Sequence, residues 1–109
     1  MLNIEGHKIT LTRGDTLTLT LTLKKGTQTY TPEQGDVIRF ALSKGYKSEP
    51  SYELKLSKTI PNDTLTFTLS STETTLDYRE YNYDIEITHD DGTVDTFISS
   101  TLTITGEAK

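Results

Sequence analysis

The 109-residue sequence has no cysteine, so disulfides and thiolate metal sites are excluded and no disulfide framework argues for secretion. Basic residues are scarce: eleven Lys and Arg stand against sixteen Asp and Glu, for a formal net charge of −5. That balance opposes attraction to nucleic acid or anionic lipid, both of which rely on clustered cations. No apolar run approaches the ~20 residues needed to cross a bilayer. The opening M-L-N-I-E-G-H-K-I also lacks the apolar stretch of a signal peptide and already reads like strand. The expectation is a chain made and kept in the cytosol, not secreted, without membrane or nucleic-acid partners.

Chemical signatures are missing as well. There is no G-x-S-x-G elbow, no Gly-rich phosphate loop and no H-x-x-x-H pair. No enzymatic activity and no cofactor are expected. Asp84, Glu86, Asp90, Asp91 and Asp95 gather around one hairpin, but their spacing matches no D-x-D-x-D-G calcium loop, and a solvated strand face is the simpler reading. His7 and His89 are far apart and are both read as surface residues.

What the sequence does have is threonine, a β-branched residue suited to the solvent face of a sheet. Thr16 to Leu23 reads T-L-T-L-T-L-T-L, a strict period of two that sends Leu17, Leu19, Leu21 and Leu23 inward. An earlier strand spans Lys8 to Thr12, with Ile9 and Leu11 inward. A third strand, Val37 to Ser43, places Ile38, Phe40 and Leu42 on the core face. Tyr52, Leu54 and Leu56 alternate in a fourth whose lysines face the other way, as on an edge strand. After a turn at Pro61-Asn62-Asp63, Leu65, Phe67 and Leu69 point inward in a fifth strand expected to form a hairpin with the fourth. Ser70-x-x-Glu73 has capping-box spacing and predicts one helical turn at most. Tyr81, Tyr83, Ile85 and Ile87 alternate inward in a sixth strand. Asp91-Gly92 turns the chain into a last strand, Thr93 to Thr105, with a parity change near Phe97. Seven strands at even spacing and one domain's length, residues 1–109, predict an all-β, two-sheet antiparallel sandwich.

Two local groups stand out. Arg13-Gly14-Asp15 matches an integrin-binding tripeptide, but a tight turn with glycine at positive φ is the expected role. Lys44, Tyr46, Lys47, Tyr52, Lys55 and Lys58 gather positive charge and aromatic rings around the third loop and fourth strand, a candidate binding surface.

The stretch Asp77 to Tyr83, D-Y-R-E-Y-N-Y, resembles the tyrosine corner of immunoglobulin-like domains. The resemblance implies a seven-stranded immunoglobulin-like sandwich, with Tyr81 bonding nearby backbone and Tyr83 standing where antibody domains have cysteine. Four segments together carry a narrower likeness: R-G-D-T (Arg13 to Thr16), V-I-R-F-A-L-S-K-G-Y-K-S (Val37 to Ser48), Y-N-Y-D-I-E-I (Tyr81 to Ile87) and D-G-T-V-D-T-F-I (Asp91 to Ile98). In this order they resemble the small β-sandwich proteins of phages and prophages of Gram-positive bacteria, similar to the N-terminal domain of baseplate upper proteins of the BppU type. That likeness implies a virion structural module of the tail or baseplate, assembled in the host cytoplasm, whose partners are phage structural proteins or copies of itself. The alternative is an adhesion module recognising carbohydrate or protein through the Lys44–Lys58 region.

Overall fold

The computed structural model describes residues 2–5, 7–25, 27–45 and 49–106, and no helix occurs among them. Ten strand segments form: β1 (Leu2–Glu5), β2 (Lys8–Thr12), β3 (Leu17–Thr20), β4 (Lys24–Lys25), β5 (Gln28–Thr29), β6 (Val37–Lys44), β7 (Glu53–Ile60), β8 (Thr66–Leu69), β9 (Arg79–Thr88) and β10 (Val94–Thr105). Six of them make one sheet in the order β1-β2-β10-β9-β6-β7. β3 pairs with β8 in a second sheet, and β4 with β5 in a small hairpin.

The two larger layers share one apolar core because the period-two pattern gives each a greasy face. Phe40 of β6 meets Phe67 of β8 across the layers, with ring centroids 5.0 Å apart. Leu11, Leu17, Ile38, Leu42, Tyr81, Ile85 and Ile87 are fully buried around them. Every inward residue expected in the sixth strand is buried in β9, the strand most tightly bound by its neighbours β6 and β10.

Three expectations are corrected. The arrangement is not wholly antiparallel: β10 runs parallel to β2, with Leu102 beside Ile9 and Ile104 beside Leu11. A parallel pair needs a long connection, and nearly the whole fold separates these two strands. Next, β8 does not form a hairpin with β7. The chain leaves β7, turns with Leu65 at φ 54°, and crosses to the other layer, where β8 pairs with β3. Hydroxyl contacts of 3.0 Å between Thr18 and Thr68 and 2.8 Å between Thr20 and Thr66 line the outer face of that pair. Finally, β7 does not keep one parity. Leu56 lies opposite Leu42 but Leu54 lies opposite Ser43, so Lys55 is an extra residue and the strand flips face there. The same device occurs at Phe97, where the register with β9 shifts between Thr96 and Ile98.

The turns carry their expected chemistry. Gly14 takes φ 84° as Asp15 N–H donates to the Thr12 carbonyl at 3.0 Å. Arg13 is engaged rather than presented: its Nε donates to the Leu76 carbonyl at 3.1 Å and its guanidinium lies over the Tyr78 ring. Ser70 and Glu73 make both bonds of a capping box, Ser70 N–H to Glu73 at 2.9 Å and Glu73 N–H to Ser70 Oγ at 3.2 Å, around a turn that goes no further. Buried Tyr81 donates its hydroxyl to the Asp77 carbonyl at 2.9 Å, and buried Tyr83 donates to the His7 carbonyl. Burial pushes both phenols above their ordinary pKa.

Candidate functional site

The flip in β7 decides what the outer face of the large sheet carries. Without it Leu54 would join the core; with it, Leu54 emerges half exposed, at 49%, and Tyr52 lies beside it. Together they edge a shallow depression built by three strands. Register sets Arg39, Ala41 and Ser43 of β6 opposite Glu86, Asp84 and Asn82 of β9. Ser57 closes the other side, opposite Ala41. Apolar and aromatic groups, a guanidinium and two carboxylates therefore share one sheet face, the mixture that protein contact surfaces carry. Arg39 and Asp84 are exposed.

The residues singled out from the sequence scatter. Tyr52 belongs to this face. Lys55 Nζ is held by Glu53 at 2.7 Å; that carboxylate raises the lysine's pKa and is itself lowered by the ammonium. Lys58 lies opposite Phe40 on the core side of β7 rather than facing away from it. Its stem lies along the core edge while its ammonium reaches Glu73 at 2.8 Å and the Thr68 carbonyl at 2.7 Å. Lys58 and the Ser70 amide together hold the Glu73 carboxyl below the usual carboxylate range. Lys44 ends β6, and Tyr46 and Lys47 lie outside the described residues. The acidic hairpin residues also part company. Asp84 and Glu86 face outward, Asp91 accepts from Thr93 N–H in the turn at 2.9 Å, and Asp95 turns inward to His89. No group of three or more His, Cys, Asp or Glu side chains among the described residues is arranged to hold a metal ion.

His89, expected at the surface, is partly buried and engaged at both ring nitrogens. Its Nδ1 lies 2.9 Å from Asp36 and its Nε2 2.8 Å from Asp95. Asp36 is buried and also accepts from the Tyr30 hydroxyl at 2.6 Å and from Glu33 N–H at 2.9 Å. Tyr30 packs edge-on against both His89 and Phe97. The phenol bond, then the Glu33 amide and His89, hold Asp36 below its ordinary range. Asp95 and Asp36 raise His89, and Asp36 pushes Tyr30 up to about 12. Gly35 fits only as glycine: at φ +94° a side chain there would lie 2.9 Å from Asp90 Cβ. This polar plug closes one end of the core. Its parts come from segments 53 residues apart, so no local motif announced it.

No family model, no curated protein and no solved structure matches the chain. No helix among the described residues is long and apolar enough to cross a membrane.

Proposed function

We propose that this chain is an immunoglobulin-like structural module of a phage or prophage virion, a tail or baseplate component that acts through protein contacts and not through chemistry. The strand order supports the fold part of this reading. A five-strand array of β2, β10, β9, β6 and β7, with a parallel first pair, packs on a β3–β8 pair. A large sheet packed on a smaller one is in keeping with an immunoglobulin-like sandwich, and the Tyr81–Asp77 bond supports the tyrosine-corner reading. The virion setting draws its support from the likeness of the four segments to baseplate upper proteins.

The observation that carries the contact role is the outward turn of Tyr52 and Leu54 beside Arg39, Asp84 and Glu86. Leu54, which the strand bulge turns half out of the core, adjoins the Tyr52 ring, and a partner surface gains by covering the two together. The adhesion alternative is less well supported, because Lys55 and Lys58 have their ammonium groups taken within the domain.

Affinity capture from a lysate of the induced prophage tests the proposal. Wild type should recover tail or baseplate proteins, and Leu54→Asp should lose them while keeping its fold. Equal recovery by both would remove this face from the account. Substrate turnover abolished by one polar substitution would overturn the non-enzymatic reading.

A further inference from the structure

The β3–β8 sheet has two strands and therefore two open edges among the described residues. They are treated differently. Leu21 N–H donates to the Leu65 carbonyl at 2.8 Å in the register that pairs Leu19 with Phe67 and Leu17 with Leu69. Antiparallel pairs alternate between bonded and non-bonded, so the amides and carbonyls of Thr18 and Thr20 point away from β8, and those of Thr66 and Thr68 point away from β3. The β8 edge is guarded: Lys58 Nζ occupies the Thr68 carbonyl and places a charge there. Among the described residues nothing comparable guards β3. Thr16 to Leu23 contains no charged residue, although charged residues make up 25% of the chain. Beside this edge the layers gape, because the two-stranded sheet is narrower than the one it covers. The resulting groove is lined by Leu19, Leu21, Ile9, Ile98 and Tyr83, with His7, Thr20 and Thr22 at its rim.

We propose that the open edge of β3 is a self-association site whose occupant is β3 of a second copy, paired antiparallel about a two-fold axis. Antiparallel pairing of identical strands is self-complementary, so each copy offers the Thr18 and Thr20 amides and carbonyls that the other lacks. The incoming strand's leucines face the groove and its threonines continue the outer hydroxyl rows already formed between β3 and β8. Charge leaves this edge open to a second copy where the rest of the surface resists one. A chain of net charge −5 repels its own copies over most of its surface, and the uncharged β3 segment brings no like charges face to face. Pairing turns two marginal two-stranded sheets into one of four strands. The proposal does not rest on the virion setting or on the Tyr52–Leu54 face.

Residue-resolved amide exchange of the whole chain at low and high protein concentration, with sedimentation equilibrium alongside, tests it. The expected mass rises with concentration from 12.2 kDa toward twice that value. The Thr18 and Thr20 amides slow by about tenfold or more with the same concentration dependence, while those of Leu19 and Leu21 are slow throughout. A Thr18→Lys, Thr20→Lys variant, altered only at exposed side chains, stays monomeric, and Leu54→Asp still dimerises. A chain that remains 12.2 kDa at millimolar concentration overturns the proposal. So does a dimer in which Thr18 and Thr20 exchange as fast as in the monomer.

Discussion

Lys58 in β7 places its ammonium 2.7 Å from the backbone carbonyl of Thr68 in β8, joining strands that belong to different sheets. The contact satisfies a carbonyl on an unpaired edge and denies that edge to other strands. Lys58→Met keeps most of the stem and removes the charge. It should cost about 1 kcal/mol, from a charged hydrogen bond and a partly exposed ion pair. Denaturant midpoints measure this, and an unchanged midpoint would mean that the contact is incidental.

The Tyr81 hydroxyl is expected to matter more than any threonine on the outer face. Tyr81→Phe leaves the Asp77 carbonyl without its partner at 2.9 Å and should destabilise by about 1 kcal/mol. Thr20→Ala loses one exposed cross-strand hydroxyl contact and should cost only about 0.3 kcal/mol. Equal losses in a chemical denaturation series would contradict this ranking.

The plug around His89 gives stability a definite pH dependence. His89 is raised above its ordinary 6.5, so its contribution is complete below that value and is lost as pH climbs through the raised one. Asp36 is lowered below its ordinary 3.8, so its contribution is complete above that value and is lost as pH falls through the depressed one. Both hold between these limits. The gap in melting temperature between wild type and His89→Gln should be widest between the ordinary values of Asp36 and His89 and narrow as pH rises through the raised pKa of His89. A gap that widens with alkalinity would reverse the assigned charge state.

Much of the fold was legible because one face of each sheet is buried, and burial fixes strand parity. Tyr81, Tyr83, Ile85 and Ile87 could be assigned inward from alternation alone, and all four are buried in β9. Pairing was less legible. Leu65, Phe67 and Leu69 alternate just as a hairpin partner of β7 would, and nothing local says that the chain crosses to β3 instead. The contact face was hidden for a sharper reason. Tyr52, Leu54 and Leu56 look like one continuous inward row, and only the extra residue at Lys55 turns the first two outward. Bulges at Lys55 and Phe97 differ in this respect, since a break in alternation betrays the second and none betrays the first. His89 and Asp36 meet only because β6 and β9 are neighbours, so their bond follows from topology and not from any spacing in the chain.

The central claim is that this domain is built into a phage particle and works there by the surfaces it presents. Quantitative mass spectrometry of particles purified after prophage induction tests it most directly. The account predicts the chain in those particles at a fixed ratio to the tail subunits. Its abundance in the lysate together with its absence from purified particles would contradict the claim.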